Sequence, residues 1–191
     1  MSGRCFVVLD RDGTINEECT YLSDPKQVKL IAGAAEALRQ LKQMGLGLVV
    51  VTNQSAVGRG FFDEARLQLI HQRLCELLES EGVHLDGIFF CPHTPENDCS
   101  CRKPRPALIE RAARQFDFDL QTSFVIGDKA ADIEMGRRVE ATTFLVRTGY
   151  GVEVADDPAV SPDYIVDDLW AAAQIIQGLI GATEKSVDHD H

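Results

Sequence analysis

Short apolar runs alternate along the chain with longer stretches in which apolar residues recur at helical spacing. The apolar runs predict buried strands at residues 5–9, 46–51, 87–90, 123–126, 142–146 and 164–166. The helical spacing predicts helices at residues 34–44, 64–81, 107–115, 132–139 and 169–180. Asp63 is the expected N-cap of the second helix. The side chains expected on the buried face of that helix are Leu67, Ile70, Leu74 and Leu77.

Strands that alternate with helices favour one parallel sheet covered by helices on both faces, which is an α/β fold. The connection between Thr14 and Thr52 holds a single predicted helix and short loops, so no large cap domain is expected there. The pattern predicts one domain over residues 1–183 and a flexible polar tail over residues 184–191. The tail carries His189 and His191, for which we expect no ligand role.

Composition and charge narrow the classes of partner. The chain has 191 residues, 45% of them hydrophobic, which suits one domain with a sizeable core. The net charge of −11 argues against nucleic acid as a partner, because a phosphate backbone requires a basic face. No apolar run approaches the ~20 residues that cross a bilayer. We expect a cytoplasmic monomer that acts on a small phosphorylated substrate and binds neither nucleic acid nor membrane.

Polar residues follow several of the predicted strands directly. The first strand ends in Asp10-Arg11-Asp12-Gly13-Thr14, the second in Thr52-Asn53-Gln54-Ser55, and the fourth in Gly127-Asp128-Lys129 with Asp132 beyond. Carboxylates that converge repel one another, so this set requires a hard cation such as Mg²⁺. Lys103, after the third strand, would neutralise a phosphate. Taken singly, Asp-Gly is usually a turn and Thr often a helix cap, but the ordered set favours one shared site.

These motifs resemble those of the haloacid dehalogenase superfamily: Asp-x-Asp-Gly-Thr, then Thr, then Lys, then Gly-Asp-x-x-x-Asp. The resemblance implies a Rossmann-like three-layer α/β/α fold. It also implies a magnesium-dependent phosphatase with Asp10 as nucleophile and Asp12 as acid and then base. In that family Thr52 and Lys103 would hold the transferring phosphoryl group. The resemblance assigns Mg²⁺ to Asp10, the backbone carbonyl of Asp12, and Asp128.

A loop after the third strand concentrates the metal-binding side chains Cys91, His93, Cys99 and Cys101. Three thiolates and one imidazole suit tetrahedral zinc, and four protein ligands leave no open position, so the zinc would be structural. The alternatives are a loop of free thiols or a single disulfide. Because the loop runs directly into Arg102 and Lys103, bound zinc would also fix the residue that reaches the phosphate.

The Cys-Pro-His, Cys-x-Cys and Arg-Lys-Pro strings resemble a small zinc-bearing branch of the superfamily. Two activities are implied there: removal of the 7-phosphate from D-glycero-D-manno-heptose 1,7-bisphosphate, in lipopolysaccharide precursor synthesis, or hydrolysis of histidinol phosphate. The string from Asn53 to Gly60 favours the heptose activity, whereas the short spacing from His93 to Cys99 also occurs in the histidinol branch. A non-catalytic zinc-stapled phosphosugar-binding module remains the alternative of another class. The substrate contacts that this resemblance implies are Arg11, Glu18, Cys19, Thr20, Tyr21, Asn53, Gln54, Ser55, Arg102 and Lys129.

Overall fold

The computed structural model describes residues 4–187 of the chain. Six strands form one sheet in the order β3-β2-β1-β4-β5-β6, and every neighbouring pair is parallel. The strands are β1 (Phe6–Leu9), β2 (Gly47–Asn53), β3 (Gly87–Cys91), β4 (Phe124–Gly127), β5 (Thr142–Val146) and β6 (Tyr164–Val166). All six predicted strands are thus present, each displaced by at most two residues at either end.

Seven helices connect these strands within the described residues. They are α1 (Ala34–Gln43), α2 (Ser55–Gly58), α3 (Glu64–Ser80), α4 (Ala107–Phe116), α5 (Ala130–Arg138), α6 (Gly151–Ala155) and α7 (Leu169–Val187). Two 3-10 turns, Pro25–Gln27 and Pro95–Asn97, lie in the longer loops. The side chain of Asp63 caps α3 by accepting a hydrogen bond from the backbone N–H of Arg66, as the sequence predicts.

The sheet separates two hydrophobic cores, because successive side chains of a strand point to opposite faces. Val7 and Leu9 of β1 face one core, which α1, α3 and α7 cover. Phe6 and Val8 face the other core, which α4 and α5 cover. This arrangement confirms the three-layer α/β/α fold with a parallel sheet.

The structure departs from the predicted helices in three places. Helix α7 does not end at Ile180 but continues to Val187, so it includes the start of the predicted tail. Leu77 was expected on the buried face of α3, but it is only partly buried, and Leu78 takes the core position. The short helices α2 and α6 were not predicted. Residues 188–191, including both tail histidines, lie outside the described residues.

The strand order places β1 at the point where the chain changes direction. From β1 the chain builds β2 and β3 on one side, then returns to place β4 on the other side of β1. Ligands of open α/β sheets bind beyond the carboxyl ends of strands at such a switch point. Residues that follow β1 and β4 therefore meet at one place on the rim. Over residues 4–187, no helix combines the length and the apolar character needed to cross a bilayer.

Candidate active site

Asp10 and Asp128 meet at the switch point because they follow neighbouring strands. Leu9 of β1 pairs with Ile126 of β4, and the backbone N–H of Asp10 donates to the carbonyl of Ile126 at 2.9 Å. Both carboxyl groups are buried. One oxygen of each, together with one oxygen of Asp132, forms a group in which all three atoms lie within 4.8 Å of one another. The convergence of these carboxylates at one rim of the sheet is the arrangement that the sequence predicts.

Two glycines allow the backbone to approach Asp128 closely. A Cβ atom at Gly13 or at Gly149 would lie 2.2 Å from an Asp128 carboxylate oxygen, and both glycines have positive φ. Any larger side chain would displace the carboxylate and strain the turn. The glycine of the Asp-x-Asp-Gly string is thus required by the packing of the acidic group itself.

Lys103 reaches the same group from the loop after β3. Its Nζ lies 2.9 Å from Asp10 Oδ1 and 2.6 Å from Asp132 Oδ1, and it donates to the carbonyl of Val51 at 2.6 Å. The ammonium group is buried. Burial opposes its charge, but Asp10 and Asp132 outweigh that effect and raise the pKa of Lys103. Lys103 therefore stays charged, as a group that neutralises phosphate must.

Asn53, at the end of β2, holds the backbone of Lys103. The Lys103 N–H donates to Asn53 Oδ1 at 3.0 Å, and Asn53 Nδ2 donates to the Lys103 carbonyl at 3.2 Å. The amide side chain of Asn53 thus pairs with the backbone of Lys103 as the backbone of a neighbouring strand would. The predicted role of Asn53 was a substrate contact; the structure adds a contact that positions the lysine.

Lys129 balances the acidic group from its solvent side. Its Nζ lies 3.6 Å from Asp10 Oδ2, 3.5 Å from Asp128 Oδ1 and 3.0 Å from Glu18 Oε2. Burial of Asp10 opposes its ionisation, but the charges of Lys103 and Lys129 prevail and lower its pKa to about 2. Asp10 is thus a carboxylate at neutral pH, which a nucleophile requires.

Asp128 has the opposite balance. Burial and the nearby charge of Asp10 raise its pKa to about 7. Four carboxylates lie at or beside the floor of the cleft: Asp10, Asp12, Asp128 and Asp132. Two buried cations, Arg11 and Lys103, contact them. Lys129 and Glu18 form an ion pair with each other and add no net charge. When all of these carboxylates are ionised, two negative charges remain, which a divalent cation with oxygen ligands would balance. The residues present therefore fit such an ion.

The side chain of Asp12 is oriented away from this group. Arg11 Nε and Nη2 donate to its two oxygens at 3.0 and 2.7 Å, and Gln54 Nε2 donates to Oδ2 at 2.9 Å. Arg11 was predicted as a substrate contact, but its side chain is only 1% exposed and lies behind Asp12. The pairing with Asp12 takes the guanidinium out of the cleft, and the predicted substrate contact of Arg11 stays a prediction. Of Asp12, only the backbone carbonyl remains as a ligand for the predicted Mg²⁺, and it lies 3.3 Å from Lys129 Nζ.

A cleft of about 330 Å³ opens above these groups. It brings together most of the residues that the sequence singled out: Asp10, Asp12, Glu18, Cys19, Thr20, Tyr21, Thr52, Asn53, Gln54, Ser55, Arg102, Lys103, Lys129 and Asp132. Asp128 lies beneath the surface, within reach of Asp10. The cleft can accept a phosphate group between Asp10, the Thr52 hydroxyl and the ammonium groups of Lys103 and Lys129.

Aromatic side chains border the cleft on two sides. Tyr21 packs edge-on against Phe61, with ring centroids 4.7 Å apart. On the other side, the ring of Tyr150 lies 5.2 Å from Lys129 Nζ, and its backbone N–H donates to Asp128 Oδ2 at 2.9 Å. Sequence reasoning missed Tyr150 because it lies in the loop before α6, far from the motifs. The signal that could have found it is its place just beyond β5, since residues that follow the strands of this sheet form the cleft.

The cysteine loop forms a compact group beside the cleft. Its contacts are Cys91 Sγ to His93 Nδ1 at 3.6 Å, Cys91 Sγ to Cys99 Sγ at 3.5 Å and Cys101 Sγ to Cys91 Sγ at 3.0 Å. Cys101 Sγ also lies 3.3 Å from His93 Nδ1 and 3.5 Å from Cys99 Sγ. Zn–S bonds of ~2.3 Å and Zn–N bonds of ~2.0 Å set ligand separations of similar size around a tetrahedral ion. The four side chains could therefore hold a metal ion, and all six cysteines are free thiols rather than disulfides.

Comparison with known proteins places the chain in a family. The D-glycero-beta-D-manno-heptose-1,7-bisphosphate 7-phosphatase of Pasteurella multocida is 38% identical over 91% of this chain and 97% of its own length. The protein of that name from Pseudomonas aeruginosa is 36% identical over 91% of this chain and 98% of its own. The chain belongs to the heptose-bisphosphate phosphatase family. A family model described as HAD-hydrolase-like also matches residues 100–172.

Solved structures of heptose-bisphosphate phosphatases share the fold over nearly the whole chain. The D,D-heptose 1,7-bisphosphate phosphatase from B. bronchiseptica, complexed with magnesium and phosphate, gives a TM-score of 0.86 at 33% identity. That match covers 91% of this chain and 99% of that one. The enzyme from Burkholderia thailandensis gives a TM-score of 0.72 at 31% identity, with the same coverage of 91% and 99%. Family membership, which the sequence motifs predicted, is therefore confirmed.

Proposed function

We propose that this chain is a magnesium-dependent phosphatase that removes the 7-phosphate of D-glycero-β-D-manno-heptose 1,7-bisphosphate. The observation that carries the proposal is the convergence of Asp10 and Asp128 beside Lys103 at one rim of the sheet. The relatives that share this chain's length are named for that substrate and for its β anomer. The site residues proposed for the reaction are those that line the cleft.

Asp10 is the proposed nucleophile. One of its carboxylate oxygens attacks phosphorus, and an aspartyl-phosphate forms as the bond from phosphorus to the sugar oxygen breaks. Asp12 gives a proton to that leaving oxygen. It then takes a proton from the water that attacks the aspartyl-phosphate, which releases inorganic phosphate and restores Asp10. The direct hydrolysis of the phosphate ester is thus divided into two displacements at phosphorus, and the charge of the phosphoryl group is neutralised in each.

The phosphoryl oxygens are proposed to meet the Thr52 hydroxyl and Lys103. Gln54 Nε2 donates to Thr52 Oγ1 at 2.9 Å, so the Thr52 proton is free to donate to a phosphate oxygen. The buried ammonium group of Lys103 acts in a site of low dielectric constant, where its charge is effective. The residues that would hold Mg²⁺ are Asp10, the carbonyl of Asp12 and Asp128. When bound, the ion neutralises phosphate charge and shields the phosphoryl group from the anionic nucleophile.

Zinc is the proposed structural metal, held by Cys91, His93, Cys99 and Cys101. Support comes from the compact arrangement of their ligand atoms. Cys101 lies two residues before Lys103, so an ion at this site would fix the loop that delivers the ammonium group. Metal analysis of protein purified without chelator should find about one zinc per chain, and less than half an equivalent would refute the proposal.

The deciding experiment compares substrates side by side with magnesium present. Phosphate release is measured from both anomers of the heptose bisphosphate and from histidinol phosphate, and the remaining sugar phosphate is identified by ³¹P NMR. We expect loss of the 7-phosphate, with kcat/KM for the β anomer at least about tenfold above that for histidinol phosphate. Asp10→Asn should release no phosphate. Release by Asp10→Asn at the rate of the parent would overturn the mechanism, and a tenfold preference for histidinol phosphate would overturn the substrate.

A further inference from the structure

Every hydrogen-bonding direction of the Asp12 carboxylate is occupied by a protein donor. Oδ1 accepts from Arg11 Nε at 3.0 Å and from Asn16 Nδ2 at 2.8 Å. Oδ2 accepts from Arg11 Nη2 at 2.7 Å and from Gln54 Nε2 at 2.9 Å. A carboxylate offers about four lone-pair directions, so none remains for a substrate or a water molecule. A side chain proposed to exchange protons with both must first lose one of these four contacts.

The four contacts differ in strength. Arg11 binds both carboxylate oxygens through two parallel N–H groups, and a paired guanidinium is the stronger kind of donor. It is 1% exposed, and so is Asn16, whose Nδ2 also donates to the carbonyl of Glu17 at 3.0 Å. Breaking the Arg11 contact would leave a buried charge unpaired, which is costly. Asn16 and Gln54 donate through neutral amides, which are weaker donors than the guanidinium. Of these two, only Gln54 lines the cleft.

Gln54 also connects Asp12 to the proposed phosphate site. Its Nε2 donates both to Asp12 Oδ2 and to Thr52 Oγ1 at 2.9 Å, and its Oε1 accepts from Arg11 Nη2 at 3.1 Å. This orientation of the amide is the one in which both donors meet acceptors. Of the three residues that donate to the Asp12 carboxylate, only Gln54 lines the cleft. A sugar oxygen or a water molecule that reaches Asp12 from the cleft therefore takes the place of the Gln54 N–H, which frees one oxygen of Asp12.

Arg11 has no other acidic partner among its contacts in the described part of the chain. Its Nη1 is buried and finds no acceptor there. Burial and the nearby Arg11 charge lower the pKa of His71 of α3 to about 3, and a neutral imidazole carries no negative charge that could pair with the guanidinium. The buried guanidinium is therefore committed to Asp12.

We propose that Arg11 is a positioning residue that holds the acid–base Asp12 through one side of its carboxylate, while Gln54 is the contact that bound substrate displaces. This inference rests on the proposed function. Arg11 keeps the carboxylate in one orientation through both displacements, and release of Gln54 exposes the oxygen that meets the leaving group and then the water. Arg11 thus acts through Asp12 and does not touch the substrate.

The test uses Arg11→Met, Arg11→Lys and Gln54→Met, with Arg114→Met as a control, since Arg114 is an exposed arginine on α4 outside the cleft. For the heptose bisphosphate, kcat of Arg11→Met should fall about 10²-fold, the size of an acid–base contribution, while KM changes less than about threefold. Arg11→Lys keeps the charge without the paired donors, so its kcat should fall less than that of Arg11→Met. The decrease in kcat of Gln54→Met should be at least about tenfold smaller than the decrease in kcat of Arg11→Met. Arg114→Met should match the parent.

A second readout separates positioning of Asp12 from general damage to the site. The leaving group of 4-nitrophenyl phosphate departs without a proton, so formation of the aspartyl-phosphate does not require an acid. Arg11→Met should therefore give a rapid burst of about one nitrophenolate per chain, followed by slow turnover, because activation of water still requires Asp12. If Arg11→Met does not fold, Arg11→Lys decides by the same pair of measurements.

The outcomes distinguish this inference from the proposed function. If the parent releases no phosphate from any of these substrates, the proposed function itself fails. If the parent is active but Arg11→Met loses burst and kcat together, Arg11 supports the nucleophile or the fold, and the inference is overturned. Equal losses in Arg11→Met and Gln54→Met would overturn the division of roles between them.

Discussion

At the scale of single residues, neighbouring charges give the two central carboxylates of the cleft different properties. Lys103 and Lys129 overcome the effect of burial on Asp10 and lower its pKa to about 2. Burial and the charge of Asp10 raise the pKa of Asp128 to about 7. One carboxylate is therefore ionised by the protein alone, whereas the other requires a cation to become fully charged at neutral pH.

This difference predicts how stability depends on pH. Without magnesium, folded Asp128 binds a proton up to a pKa of about 7, whereas its ordinary value is 3.8. Because the folded state then holds more protons than the unfolded state, the free energy of unfolding should fall as pH rises between those values. Bound Mg²⁺ should remove this fall, since it favours the ionised form. The measurement is the thermal unfolding temperature as a function of pH, for protein dialysed against magnesium-free buffer and for protein in magnesium.

Asp128→Asn is the matched control for that experiment, because an amide of the same shape cannot ionise. Its unfolding temperature should be less sensitive to pH over this range and gain little from magnesium. Dialysis without a chelator would leave the zinc proposed for the cysteine loop undisturbed. Identical pH curves for the parent with and without magnesium would contradict the role given to Asp128.

At the scale of elements, strong periodicity made the long strands and helices predictable. β1, β2 and β4 are continuous apolar runs, and α3 repeats its buried leucines over 17 residues with a capping Asp63. Helix α2 spans 4 residues and α6 spans 5, so neither completes two turns, and no period can appear. The end of α7 was placed too early, because the polar residues of the C-terminal tail suggested a stop that the helix does not make.

The site was predictable only as far as it follows from strand ends. Asp10, Thr52 and Asp128 directly follow or end strands that pair in one sheet, so their meeting could be expected. Lys103 could be expected as a cation near the phosphate, but its exact position could not, since a loop of irregular structure delivers it. The burial of Arg11 and the position of Tyr150 depend on tertiary packing, which no local pattern encodes.

The cysteine loop provides a prediction at this scale. Cys101→Ser should lower both zinc content and kcat, because Cys101 lies two residues before Lys103 and a loosened loop misplaces the ammonium group. A displacement of ~1 Å can cost about 10²-fold in rate, so we expect a loss of about tenfold to a hundredfold. Metal analysis and phosphate-release kinetics measure the two effects. Cys75→Ser is the control, because Cys75 lies on α3 outside the loop, and it should change neither zinc content nor kcat. A Cys101→Ser variant with normal zinc content and normal kcat would contradict the prediction.

At the scale of the whole molecule, an acidic protein concentrates cations at one cleft. The net charge is −11, yet Lys103, Lys129 and Arg102 all line the cleft, where they offset part of the charge of its carboxylates. The exposed aromatic residues Tyr21 and Tyr150 also line it. The proposed substrate binding would explain their exposure, which does not by itself indicate a subunit interface. The acidic remainder of the surface disfavours contact between copies of the chain.

The last prediction therefore concerns the oligomeric state. We expect a monomer of 21.1 kDa by light scattering at low ionic strength. Charge repulsion alone could conceal a weak interface, so the decisive condition is about 0.5 M salt, where the screening length falls to about 4 Å. If the surface lacks a complementary apolar patch, the mass should stay that of one chain when repulsion is screened. The other large exposed apolar side chains of the described residues lie on different elements: Phe61 in the loop between α2 and α3, Leu69 on α3, Val152 on α6, Ile165 on β6 and Trp170 on α7. A doubled mass at high salt alone would show that the acidic surface, and not the absence of an interface, keeps the copies apart.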